Sequence, residues 1–373
     1  MIQQTATTLK LTQDVRTTSP VVLCAADETY AMPLTVTLHS AVSNLSVGEH
    51  LHVILLDGGI SESSWMGIRE TLADLPITID VIRPDLKLVQ DLSISHHISH
   101  SAYLRLMADQ LLPSWIDKVI YLDSDLLVLD DLCELWQMDV GDHYCLAAVD
   151  ISCPFVDATT FVESHRNQQD NNASPVGSAS KIPEASPASI PYVNALTPIP
   201  NWRELGIDGA NHYFNSGVMV LNLKRWRAEN ISSRLFECLR NNREHVWCWD
   251  QYALNVVFAG QWGLLPARWN QGTHVYEYPD EHQAPIEASQ FAQMRDNPAI
   301  LHYTTEWKPW NFRPFHPERE RYYQYLDQTA FSQWRPKDPG FDFGDWWTFN
   351  LVQSIRRWTV RYRKWYSFRH VSQ

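Results

Sequence analysis

The chain has 373 residues, 45% of them hydrophobic, enough for one large α/β domain with appendages. Its formal net charge of −13 argues against nucleic acid as a partner. The polar, Thr-rich start from Met1 to Pro20 lacks an apolar signal core, and no stretch is apolar for long enough to span a bilayer, so no membrane-anchored architecture is expected. Six cysteines (Cys24, Cys133, Cys145, Cys153, Cys238, Cys248) show neither C-x-x-C pairing nor zinc spacing and read as free buried thiols in a reducing cytosol.

From Val21 to about Asp150 strands and helices alternate. The expected strands are Val21–Ala26, Leu51–Leu56, Ile77–Ile82, Val119–Leu122 and Cys145–Val149; the expected helices are Pro33–Asn44 and Glu62–Leu75. Such alternation predicts a mostly parallel sheet with ligands at the carboxyl ends of its strands. From Ser152 to Pro200 the composition turns to Ser, Ala, Pro and Asn, which reads as a partly disordered insertion, either folding over a second substrate or without a role. Regular structure resumes with a strand at Val218–Leu223, helices near Ser233–Asn241 and Asp250–Ala259, and a closing helix at Glu318–Leu326. Trp247, Trp249 and Trp262 read as core residues, stacking on a ligand being the alternative for one of them.

Asp123-Ser124-Asp125 follows the buried run Val119–Leu122 and precedes the apolar run Leu126–Leu129. Residues i and i+2 of a strand point to one side, so two carboxylates converge there. A cation between them relieves their repulsion, and two oxygen ligands with open positions suit a divalent ion that also holds a diphosphate. The same triplet can merely cap a loop. Val22–Tyr30 is a strand ending in small residues and Asp27, where a flat ligand can approach the backbone; a strand followed by a helix cap looks the same. Asn215-Ser216-Gly217 offers neutral hydrogen bonds and close approach at glycine. His302 stands at a strand end, six residues before Lys308. An imidazole added to two carboxylates suits Mn²⁺ better than Mg²⁺.

Asp123-Ser124-Asp125, Phe214-Asn215-Ser216-Gly217, Trp249-Asp250-Gln251 and His302 through Trp310 occur in the order seen in glycosyltransferase family 8, and the chain resembles that family from roughly Val21 to Trp310. The likeness is to its bacterial lipopolysaccharide α-galactosyl- and α-glucosyltransferases; glycogenin and galactinol synthase belong there too. It implies the GT-A nucleotide-sugar transferase fold, an α/β architecture with a single Rossmann-like, mostly parallel sheet flanked by helices. It implies a retaining hexosyltransferase using a UDP-sugar, UDP-galactose or UDP-glucose, and a glycan or glycolipid acceptor. By this resemblance Mn²⁺, with Mg²⁺ second, is held by Asp123, Asp125 and His302. Ala25 and Asp27 meet the uridine, and Thr29 stands where relatives often carry Asn. Arg105 and Ser124 lie by the donor, Lys308 binds the diphosphate, and Asn215, Ser216, Asp250 and Gln251 line the sugar. Gln251 is the side chain nearest the anomeric carbon, with Asp250 beside it, and front-face transfer is favoured over double displacement. A self-glucosylating, glycogenin-like primer and a non-catalytic nucleotide-sugar-binding protein are the competing readings. A nucleotidyltransferase would carry a Gly-rich basic loop after the first strand, and Ala25-Ala26-Asp27-Glu28-Thr29 is not one.

The expected organisation is a polar tail at 1–20, a catalytic domain at 21–330 holding the 152–200 insertion, and a C-terminal helical tail at 331–373. Leu351 to Gln373 carry six Arg or Lys and no acid. As a helix, Trp347, Leu351, Ile355, Trp358, Tyr362 and Trp365 form one stripe, with Arg356, Arg357, Arg361, Arg363 and Lys364 elsewhere around it. Interfacial aromatics with basic residues describe a helix lying on an anionic membrane, and packing on the acidic body is the alternative. The expected location is cytoplasmic, peripheral on the inner membrane face.

Overall fold

The structure, a computed structural model, describes residues 19–92, 100–161, 192–305, 308–311 and 316–337. The polar start, the middle of the 152–200 segment, the basic aromatic stripe of the tail, and Glu306 and Trp307 lie outside the described residues.

The first strand, β1 (Val21–Ala26), is buried at all six positions, as a strand covered on both faces must be. It lies between β2 (Leu51–Asp57) and β4 (Lys118–Leu122), parallel to both, and β3 (Ile77–Ile82) extends the sheet beyond β2. β7 (Phe214–Asn222) runs antiparallel to β4, then β6 (Cys145–Val149) and β8 (Trp262–Leu264) complete seven strands in the order β3-β2-β1-β4-β7-β6-β8. Four of the six pairings are parallel. The chain leaves β1 toward β2 on one side and returns as β4 on the other. The crevice outside the ends of β1 and β4 is therefore a topological switch point, where open α/β sheets bind ligands.

The expected single sheet is incomplete as a description. Past Asp123-Ser124 the chain turns, and β5 (Leu126–Val128) joins a separate three-stranded sheet with β10 (Ile300–His302) and β9 (Gln271–Gly272). Helix α1 (Ala31–Ser43) covers the free edge of β5. Thr37 Oγ1 donates to Leu126 O at 2.8 Å, Val128 N donates to Ser40 Oγ at 3.0 Å, and Asn44 Nδ2 donates to Val128 O at 3.0 Å. These side chains satisfy backbone groups that an open edge would leave exposed. The turn matters for the site, because β10 pairs with β5 so that His302 stands opposite Leu126, one residue from Asp125.

Several bounds differ from the sequence reading. Helix α2 (Glu62–Leu72) ends three residues early, where the chain turns before Pro76 to enter β3. β7 starts at Phe214, four residues early, because Phe214 and Asn215 pair with Val149 and Ala148 across a bulge. Trp247 is 55% exposed and not core, while its neighbours Val246 and Trp249 pack against the core. The described ends of the 152–200 segment are packed, with Phe155, Phe161, Tyr192 and Ile199 buried. All six cysteines are free, and Cys248 alone is not fully buried. Among the described residues no helix is long and apolar enough to cross a membrane.

Candidate active site

A pocket opens at the switch point, lined by Ala25, Ala26 and Asp27 from the end of β1 and Asp123, Ser124 and Asp125 from the end of β4. Tyr30, Ser101, Ala102 and Arg105 close its sides. Ser124 Oγ donates to Ala25 O at 2.9 Å, tying the two strand ends together. Asp27 caps the short helix Glu28–Tyr30 through Thr29 N at 3.0 Å, and its other oxygen accepts from Ser101 Oγ at 3.4 Å. Thr29 itself is exposed at the rim.

Asp123, Asp125 and His302 converge, their ligating atoms all within 4.8 Å of one another. His302 Nε2 lies 3.3 Å from Asp125 Oδ1 and 3.8 Å from Asp123 Oδ2. Asp125 Oδ1 is buried and makes no hydrogen bond. A buried carboxylate oxygen without a hydrogen bond, beside a second carboxylate and an imidazole nitrogen, is a donor set that fits a divalent metal ion. Burial works to raise the Asp125 carboxyl pKa, but the Lys308 ammonium and His302 outweigh it and hold the group ionised well below the usual carboxylate range. Lys308 donates to Asp125 Oδ2 in a buried pair.

Arg105 holds the other side. It comes from a 3₁₀ segment, His100–Met107, and is buried. Its Nη2 meets Asp123 Oδ1 at 2.7 Å and its Nε lies 3.0 Å from Asp250 Oδ2, while Nη1 donates to Ser216 O at 3.0 Å. Tyr121, beneath the guanidinium with the ring centre 4.3 Å away, donates to Asp123 Oδ1 at 2.8 Å. The Nε hydrogen goes to Ala102 O, so Asp250 Oδ2 has an ion-pair partner but no hydrogen bond. Burial pushes the Asp250 carboxyl up to about 6, Arg105 opposing and Asp123 assisting. Asp250 and Gln251 open helix α3 (Trp249–Val257), whose first residue takes a left-handed φ of 45°, a conformation strained for Trp. The Gln251 amide is fixed at both ends. Oε1 accepts from Ser216 N at 3.0 Å and Ser216 Oγ at 3.3 Å, and Nε2 donates to Asp150 Oδ2 at 2.9 Å.

Gly217 lies between these groups. A Cβ there would come within 2.2 Å of His302 Cε1 and 2.9 Å of Asp123 Oδ2. Gly217→Ala is expected to drive the imidazole off its position and lower Mn²⁺ affinity about tenfold or more, read by calorimetric titration, with the sheet intact by circular dichroism.

The structure thus gathers Ala25, Asp27, Arg105, Asp123, Ser124, Asp125, Ser216, Asp250, Gln251, His302 and Lys308 around one cleft. Asn215 adjoins them with its amide engaged by Asp150, Gly217 and Asn270. Three polar residues escape the sequence reading. Asp150 ends the buried strand β6 as Asp123 ends β4, a signal that local pattern carries. Tyr121 reads only as core. Asn270, the last residue of a short 3₁₀ helix, Ala267–Asn270, carries no sequence signal.

Comparison with known proteins decides the family. Residues 21–313 match the model described as glycosyl transferase family 8. The chain belongs to this family. The family-8 chain is 26% identical over 314 residues to general stress protein A of Bacillus subtilis (strain 168), covering 83% of this chain and 94% of that one. It is 23% identical over 263 residues to a lipopolysaccharide 1,2-glucosyltransferase of Escherichia coli (strain K12), spanning 70% of this chain and 64% of that one. The crystal structure of the galactosyltransferase LgtC with donor and acceptor sugar analogs superimposes with a TM-score of 0.60 at 24% identity, covering 83% of this chain and 96% of that chain, which shows the shared fold. The family-8 transferase therefore has its acidic pair, imidazole and two buried cations at the end of the sheet where a nucleotide sugar would sit.

Proposed function

We propose that the chain is a retaining, Mn²⁺-dependent hexosyltransferase that moves galactose or glucose from a UDP-sugar to a glycan or glycolipid acceptor of the lipopolysaccharide type. The observation that carries this reading is the placement of Asp123, Asp125 and His302 at the mouth of the β1–β4 crevice, with Lys308 beside them. Asp123, Asp125 and His302 would hold a divalent ion, which would supply electrophilic stabilisation of the leaving diphosphate. Ala25 and Ala26 give a flat ligand access to the backbone, and Asp27 accepts from uridine. Lys308, on exchanging its contact with Asp125 for a phosphate oxygen, places its charge where charge appears as UDP departs.

The sugar end belongs to Arg105, Asp250, Ser216 and Gln251. Asp250 Oδ2, buried without a hydrogen bond, is suited to accept from a sugar hydroxyl. Gln251 is held between Ser216 and Asp150 and is a feeble nucleophile, and Asp250 is committed to Arg105. Both facts favour front-face transfer, with the departing phosphate oxygen taking the acceptor's proton, over a covalent glycosyl-enzyme. Nuclear magnetic resonance of the product tests retention: an α-linked product is expected from the α-linked donor, and a β-linked product would sink the retaining mechanism.

The basic aromatic stripe from Trp347 to Trp365 extends the proposal to the acceptor, since a helix of that pattern would hold the enzyme on an anionic membrane where a lipid-linked glycan is presented. Deleting Trp346 to Gln373 is expected to abolish co-sedimentation with anionic liposomes. Unchanged liposome binding would remove the membrane from the account.

A further inference from the structure

His302 has a second nitrogen, and what holds it sets what the first can do. Its Nδ1 lies 2.9 Å from Asn270 Oδ1. Which end of an amide faces a neighbour is a choice that the surrounding hydrogen bonds must make. Here the choice is forced from the far end. Asn215 Oδ1 accepts the backbone N–H of Gly217 at 3.0 Å, and Asn215 Nδ2 donates to the Asp150 carboxylate at 3.0 Å, so a donor-only and an acceptor-only group fix that amide. Asn215 therefore presents an oxygen to Asn270, which must answer with its NH₂, at 2.9 Å. Asn270 is left with its oxygen toward His302, and Nδ1 must carry the hydrogen. In the neutral imidazole Nε2 is then the nitrogen with the free lone pair, on the side of Asp123 and Asp125. Asn270 and His302 are both buried, so bulk water does not compete for these bonds.

We propose that Asn270, oriented by Asn215, Gly217 N and Asp150, is a positioning residue that locks His302 in the tautomer whose Nε2 can bind the metal. The inference rests on the metal reading above. A neutral imidazole in the other tautomer would direct an N–H into the ion's place, and it would have to change tautomer before each binding event. The same relay reaches Gln251, which donates to the same Asp150 oxygen at 2.9 Å. One carboxylate thus anchors both the sugar-side amide and the chain of amides leading to the metal ligand.

Two substitutions separate positioning from packing. Asn270→Leu and Asn270→Asp both remove the bond to Asn215, but only the aspartate keeps an acceptor for Nδ1–H. Mn²⁺ affinity by calorimetric titration, without any sugar donor, is expected to fall about 10–100-fold in Asn270→Leu and to stay within about threefold of the parent in Asn270→Asp. In the metal-free protein the ¹⁵N resonances of His302 should report Nδ1–H in the parent and in Asn270→Asp, and its loss in Asn270→Leu. Equal affinities in both variants, whether lowered or unchanged, would overturn the proposal, as would Nε2–H in the parent. A parent that shows Nδ1–H yet binds no Mn²⁺ would overturn the metal reading and the relay's purpose with it.

Discussion

Asp125→Asn is expected to abolish measurable Mn²⁺ binding and to lower transfer by about a hundredfold or more, because the ion's electrostatic stabilisation of the leaving group is worth several kcal/mol. Asparagine is the informative replacement. It keeps the volume and an oxygen for Lys308, whereas alanine would leave that ammonium buried and unpaired, at a cost of about 3–5 kcal/mol that confuses binding with folding. With that oxygen on Lys308, the variant's amide turns its NH₂ toward the metal site and offers the ion no ligand. If calorimetry shows metal affinity intact in this variant while turnover collapses, Asp125 serves Lys308 and not the ion.

Arg105→Met should be the most destabilising single change at the site. Among the described residues the guanidinium is the ion-pair partner of Asp250, and it shares Asp123 with His302. Removing it leaves two carboxylates facing one another in a buried place, at about 3–5 kcal/mol. The loss carries a pH signature. Asp250 already has a folded-state pKa of about 6 against an ordinary 3.8, so its contribution to stability is fully present below pH 3.8 and is lost as pH rises through 6. Without Arg105 the folded-state pKa climbs further and the window of loss extends upward. Thermal melts of the variant are therefore expected to fall short of the parent by more at pH 8 than at pH 5. A deficit independent of pH would mean that lost packing against Tyr121, not lost charge, is the cause.

Much of this architecture is written in local pattern. The run Val21–Ala26 is apolar throughout because both of its faces are covered, and Asp27 and Asp123 are legible as acids placed where buried strands end. What sequence does not place is what depends on pairing between distant segments. β5 looks like a continuation of β4, and only its antiparallel register with β10 brings His302 to Asp125 from a remote part of the chain. The motif order supplies that juxtaposition through family resemblance, where periodicity does not. Asn270 is illegible for a further reason: a buried amide at the end of a four-residue 3₁₀ helix shows no period, and its role exists only through the partners on either side. Trp247 reads as core on its apolar ring alone, yet it stands 55% exposed just ahead of α3.

The central claim, a UDP-hexose donor cleaved at a metal held by Asp123, Asp125 and His302, is tested most directly by UDP release from a panel of nucleotide sugars, with and without Mn²⁺. Release from UDP-galactose or UDP-glucose that needs the metal and is lost in Asp125→Asn is the predicted result. Release that persists in chelator, or that requires a nucleotide other than uridine, would contradict the account.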